Sequence, residues 1–307
     1  MNPAFSVVVF TTIVGAAQGL VVTLALALLW GMPLAGDIVN TTLIIAEGML
    51  LVGLVASFGH LGRPERAWRA VLMWRTSWLS REVIILPVFM GIVALWWITL
   101  RMGIDSVLLP IAAIAVAGLL WYCTAMIYAC LRFVQEWAQP LTRVNFTLIG
   151  LSSGLVLATA FAALAGETRL VQALGPHALW VTLAAWAGRM LALRHNAALK
   201  HKSTLQSATG IKAPLLVQKS MGMSAGSFNT REFFHGRSHA MLRQVKLGFI
   251  VLAFALPAVL ALWGIASGSL LPWTLAVLAQ APGLLAERWF FFAQAKHPQN
   301  LYYQVVS

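Results

Sequence analysis

Apolar residues fill this chain in stretches of about twenty, broken by short polar segments from one end to the other. A helix rises about 1.5 Å per residue, so about 20 apolar residues cross the roughly 30 Å of hydrocarbon in a bilayer. The stretches fall at about Phe5 to Trp30, Val39 to Gly59, Val83 to Leu100, Val107 to Leu131, Asn145 to Ala165, Val171 to Leu193, Val245 to Ala266 and Leu270 to Phe292. They predict eight transmembrane helices in an all-α, polytopic bundle, a single transmembrane domain over residues 1–307. The first stretch has no basic leading region or small-residue cleavage pattern and outruns a signal peptide's apolar core, so it reads as a retained helix.

Composition makes the same point. Hydrophobic residues are 60% of the 307, charged residues only 10%, and mean hydropathy is +0.82. Soluble domains carry about 25% charged residues, so a water-soluble fold is excluded. Cys123 and Cys130 sit seven apart in the fourth stretch, on one helix face and too far apart to bridge, and read as packing residues.

Charge adds orientation. With eight spans, both termini share a side with the connections after helices two, four and six. Nineteen of the 21 Lys and Arg lie on that face or at the helix ends beside it, and only Arg101 and Arg169 lie opposite. The positive-inside bias places the crowded face, and both termini, in the cytoplasm of an inner membrane. A basic face also suits docking of an acidic partner, which counting does not separate from topology. The opposite connections, near Gly31 to Ile38, Met102 to Ser106, Gly166 to Leu170 and Ser267 to Leu270, are too short for a second domain. The connection from Arg194 to Gln244, about fifty residues, is rich in Lys, Ser, Gly and Met. A connection this long reads as a docking element, helical at its ends and ordered by a partner; the alternative is a solvated, disordered loop. No internal repeat argues for an inverted-repeat transporter.

The densest polar constellation follows helix two. It runs His60-Leu-Gly-Arg63-Pro-Glu-Arg66-Ala-Trp68-Arg69, then Trp74-Arg75-Thr-Ser-Trp78-Leu-Ser-Arg81-Glu82. A quinone would find donors for its carbonyls here in His60, Arg63 and Arg66, a proton relay in His60 and Glu82, and a lipid-accessible wall in Trp68, Trp74 and Trp78. Imidazole titrates near neutrality, which suits His60 to exchange the protons of quinone reduction. The plainer reading is an interfacial anchor, with Arg and Trp at headgroup depth. Glu82 opens the third span, where a carboxylate must be paired; it serves either proton transfer or an ion pair with Arg81. Glu47, inside the second span, lies about 20 Å of rise from His60 and serves either proton transfer from the opposite side or packing as a protonated, hydrogen-bonded group.

Other redox chemistry has no residues to run on. A bis-histidine haem needs two imidazoles facing the bundle interior, yet His60, His195, His201, His235, His239 and His297 lie in connections or at ends, and His177 is about one turn inside helix six. His235 and His239 have the i, i+4 spacing of metal ligands but no Cys, Asp or Glu cluster beside them, so no metal site is assigned. Neither an iron–sulfur cysteine set nor a nucleotide-binding glycine pattern occurs. Electrons must therefore enter or leave through another subunit.

The segments His60-Leu-Gly-Arg-Pro-x-Arg66-Ala-Trp, Thr76-Ser-Trp-Leu-Ser-Arg-Glu82 and Phe228-Asn-Thr-Arg231-Glu232-Phe-Phe-His235-Gly resemble the DmsC-type membrane anchor of dimethyl sulfoxide reductase complexes, and the eight spans agree along nearly the whole chain. The resemblance implies a haem-free anchor that reacts with ubiquinone or menaquinone. It implies two partners, a four-cluster iron–sulfur subunit and a molybdopterin catalytic subunit, which carry those cofactors themselves. The family's quinol-site His, Arg and Glu match His60, Arg66 and Glu82. Arg231, Glu232, His235 and Arg237 then become the expected docking residues. Well-known members oxidise menaquinol to reduce S- and N-oxides, with exported catalytic subunits. A cytoplasmic docking face instead favours the related anchor of a cytoplasm-facing sulfite dehydrogenase, which reduces quinone as sulfite becomes sulfate. Two other classes compete: a secondary transporter with Glu47 as coupling carboxylate, and a purely structural anchor without quinone chemistry.

Overall fold

The computed structural model describes residues 4–32, 34, 36–59, 61–200, 202–216, 239–296 and 298. Within them the chain is helical: α1 (Phe5–Leu29), α2 (Gly36–Phe58), α3 (Trp78–Arg101), α4 (Leu108–Ala129), α5 (Pro140–Leu164) and α6 (Thr168–Ala198) follow in order. A short α7 (Leu205–Thr209) comes next, capped reciprocally by Thr204 and Ser207. Then α8 (His239–Phe249) passes through a π-helical turn, Ile250–Ala255, into α9 (Leu256–Ser267), and α10 (Leu270–Ala293) closes the bundle. A 3-10 helix, Pro64–Met73, joins α2 to α3.

Seven of the described helices are long and apolar enough to cross a membrane, counting Ala240–Ser267 as one. The eighth expected span, α6, is 31 residues long but more polar, because it carries His177, Arg189 and Arg194. It packs along α5 and against α9 as part of the same bundle. Several boundaries differ from the apolar stretches: α3 starts at Trp78 rather than Val83, α5 at Pro140 rather than Asn145, and α6 continues past Leu193 to Ala198. Polar first and last turns are invisible to an apolar window, yet Ser77 as N-cap of α3 and Pro140 at the first turn of α5 are sound helix starts.

The centre is α1, which contacts α2, α4, α5 and α10. Its crossing with α5 is very close. A Cβ on Gly19 would collide with the carbonyl of Gly150, and one on Gly154 with the backbone of Gly19. Between helices in a bilayer, dispersion rather than the hydrophobic effect drives contact, so small residues that admit backbone approach are the glue.

All four short turns of the sparsely charged face use one device. Gly31, Gly103, Gly166 and Gly268 have positive φ, from 62° to 77°, directly after α1, α3, α5 and α9. In the first three, the glycine N–H donates to a carbonyl of the last helical turn and the next residue's N–H reaches one further back, as in Met32 N to Ala27 O at 3.0 Å. Those paired bonds are a Schellman closure, which satisfies end carbonyls at the membrane surface. Gly166→Ala forces an L-residue into the left-handed region and is expected to lower stability by about 1 kcal/mol, read as a lower unfolding midpoint in mild detergent; an unchanged midpoint counts against this role.

Candidate functional site

At the heavily charged end, a cavity of about 590 Å³ opens between α1, α2, α3, α4 and the 3-10 helix. Val7, Phe10, Leu54, Phe58, Leu79 and Leu86 make its walls apolar, and Glu82, Tyr128 and Ser57 supply the polar groups. The 3-10 helix roofs it with Ala67, Trp68, Ala70 and Val71. Pro87 also lines it. Having no N–H, this proline leaves the carbonyl of Val83, another lining residue, without its helical partner.

Glu82 lies one turn into α3 and is buried, 4% exposed. Its Oε1 accepts the hydroxyl hydrogen bond of Thr124 on α4. The alternative partner expected from sequence, Arg81, points elsewhere. Its Nε donates to the Trp74 carbonyl at 3.0 Å, its Nη2 to the Arg75 carbonyl at 2.8 Å, and its guanidinium lies 4.1 Å over Trp78. The Arg81 guanidinium is thus committed to the turn before α3, and it makes no ion pair with Glu82. Tyr128 is packed among Trp137, Phe146, Phe291 and Phe292, with ring centroids 5.2 to 5.8 Å away.

The other residues singled out from sequence are distributed as follows. Trp68 lines the cavity; Trp78 stands beside it, edge-on to Tyr122. Arg63 and Arg66 lie on the 3-10 helix side but are exposed and are not lining residues. Glu47 is half-buried on α2 outside the cavity, and its Oε2 is buried without a hydrogen-bond partner among the described residues. His60, Arg231, Glu232, His235 and Arg237 lie outside the described residues. Of the cysteines, Cys123 is buried and Cys130 exposed, both free.

A second buried polar layer was not expected from sequence. Arg189 and Arg288, taken there as basic helix ends, are 2% and 3% exposed. Arg189 Nε lies 2.7 Å from Glu287 Oε1, and Arg288 Nη1 lies 3.7 Å from Glu287 Oε2. Arg288 also stacks 3.8 Å over Phe146. Glu136, Gln139, Thr142 and Asn145 surround the group. The signal was present, since Glu287 and both arginines fall within or at the edge of apolar spans, where charges survive only when paired. Removing the two buried arginines from the nineteen leaves seventeen against two, so the charge asymmetry stands.

Residues 1–227 match the family model of the DMSO reductase anchor subunit (DmsC). This chain belongs to that family. It is 46% identical to a sulfite dehydrogenase subunit of Allochromatium vinosum over the full length of both chains. It is 27% identical to protein NrfD of Escherichia coli over 50% of this chain and 57% of that one. An integral membrane anchor of the DmsC family thus carries, at its charged end, a buried carboxylate at the edge of an apolar cavity.

The ion layer gives a direct test of its structural weight. Truncating Glu287 to Ala strands two buried guanidinium groups and is expected to cost about 3–5 kcal/mol, so the variant should be recovered from membranes at a small fraction of the native level. Native yield and an unchanged unfolding midpoint would show that the layer is not needed for assembly.

Proposed function

We propose that this chain is the quinone-reducing membrane anchor of a sulfite-oxidising complex, passing electrons from an iron–sulfur subunit to quinone. The observation that carries the quinone reading is the cavity: apolar, large enough for a ring and the start of a tail, and holding one buried carboxylate and one phenol. Full-length similarity to a sulfite dehydrogenase subunit supports the substrate of the complex. A molybdopterin subunit oxidises sulfite with water to sulfate, releasing two electrons and two protons. The quinone takes up two electrons and two protons to become the quinol.

Within this reading, Tyr128 and Glu82 hold the quinone head at the inner end of the cavity, and Leu54, Phe58, Leu79 and Leu86 carry the tail. Glu82 passes a proton, oriented by the Thr124 hydroxyl. His60 follows Gly59 directly in sequence and matches the family's quinol-site histidine, so it is assigned the second proton. The charged face, and with it the partner subunits, is assigned to the cytoplasm. The transporter alternative loses ground because Glu47, at the middle of α2, lies outside the cavity, and the mid-bundle contacts of Ser152 with Thr182 and Gln280 are uncharged.

The test is Glu82→Gln in the purified complex. Quinone-coupled sulfite oxidation should fall roughly a hundredfold or more, while oxidation with a soluble artificial acceptor stays at the native rate. Undiminished quinone reduction removes Glu82 from the site. S-oxide reduction by quinol in place of sulfite oxidation would instead assign the complex to the reductase branch of the family.

A further inference from the structure

The roof of the cavity has an outer side that supplies none of its lining residues. A 3-10 helix has three residues per turn, so side chains at i and i+3 eclipse, about 6 Å apart along the axis. Over Pro64–Met73 this sorts the sequence into three rows. Pro64, Ala67, Ala70 and Met73 form one and Glu65, Trp68, Val71 and Trp74 the next; the cavity-lining residues Ala67, Trp68, Ala70 and Val71 all belong to these two. The third row is Arg66, Arg69 and Leu72, continued at the same interval by Arg63 before it and Arg75 after it. All five are exposed. Arg66 and Arg69 therefore share a row that supplies no lining residue, and Arg63 and Arg75 flank that row at its two ends.

Their surroundings define the ligand. Glu65 approaches Arg66 only to 3.9 Å, with side chains 67% and 50% exposed, so the row's charge is largely uncompensated by that pair. Arg69 lies 5.6 Å over Trp68 and Arg75 5.4 Å over Trp74, which sets cations at the level of indole rings. Leu72, Met73 and Trp74 are exposed beside them. The segment is fixed in height because it runs between the ends of two membrane-crossing helices, Phe58 and Trp78. Exposed apolar side chains, tryptophans and arginines together at a helix-end boundary are satisfied at once in the headgroup layer, where rings meet acyl chains and guanidinium groups meet phosphate.

We propose that the arginine row of the 3-10 helix binds anionic phospholipid headgroups, so that an acidic lipid overlies the roof of the cavity. The occupant is the bilayer's own anionic lipid, since Leu72, Met73 and Trp74 are exposed beside the row on a segment held at the ends of two membrane-crossing helices, where acyl chains meet phosphate. The inference does not need the cavity to bind quinone, and its first readout is independent of turnover.

The complex, wild type and Arg66→Gln/Arg69→Gln/Arg75→Gln, is placed in nanodiscs of phosphatidylcholine mixed with phosphatidylglycerol, then released and weighed by native mass spectrometry. Wild type should retain phosphatidylglycerol in preference to phosphatidylcholine. The triple variant should lose that preference by roughly a hundredfold in relative affinity while keeping its iron–sulfur partner. Equal retention in both proteins overturns the proposal. Loss of the partner subunit with lipid retention unchanged also overturns it, assigning the row to protein docking. Sulfite oxidation with quinone, measured on the wild type in both phosphatidylcholine-only and mixed discs, separates the two readings: absent quinone activity in both with intact phosphatidylglycerol preference defeats the quinone site alone.

Discussion

The contact between α1 and α5 is the constraint on which the arrangement rests. Gly19 meets Gly150 and Gly154 at backbone distance, and the Trp121 indole occupies the space that a Cβ on Gly150 would take. No helix in hydrocarbon is pressed onto another by water, so the two halves of the bundle stay together by the closeness this contact allows. The first half, α1 to α4, forms the cavity wall. The second half contributes Phe146, Phe291 and Phe292, which pack on Tyr128 at the cavity's inner end. A larger residue at Gly19 or Gly154 would part the halves and withdraw the aromatic support from Tyr128.

That support divides the charged end into two buried polar regions. On one side Glu82 is held by a neutral hydroxyl at the edge of a roomy apolar cavity. On the other, Glu287 is held between two guanidinium groups in a tightly filled layer. The same chemical group thus sits in two opposite environments. Paired and enclosed, Glu287 fixes helix positions; beside open space and without a cation against it, Glu82 is available to a ligand. Pro87 adds to that availability, because the break in the α3 ladder falls in the cavity wall.

The apolar spans, the shortness of the connections on the sparsely charged face and the charge asymmetry were all legible from residue order. Apolar length dictates a crossing, and Lys and Arg counts need no coordinates. Glu82 and Trp68 were legible as candidates because a carboxylate and a tryptophan near a membrane boundary call for an explanation. Arg189 and Arg288 count by sequence with the basic face and its helix ends, because counting by face ignores the direction in which a helix turns its side chains. Arg66 and Arg69 fall in one row only at three residues per turn; at 3.6 they would be turned by about 60° about the axis from that alignment.

The sequence by itself determined that this chain is an all-helical protein that crosses a membrane repeatedly, which end is charged and which family its motifs belong to. These are properties of single segments in a uniform solvent, where apolar length and charge suffice. Only the tertiary structure decided that Glu82 meets Thr124 across 42 residues and that Glu287 meets Arg189. It alone brought Tyr128 to a cavity and gave the roof its two faces. Those depend on which helices are neighbours and how each is rotated, and in a bilayer the outer faces are nearly as apolar as the inner ones, so periodicity leaves rotation unspecified.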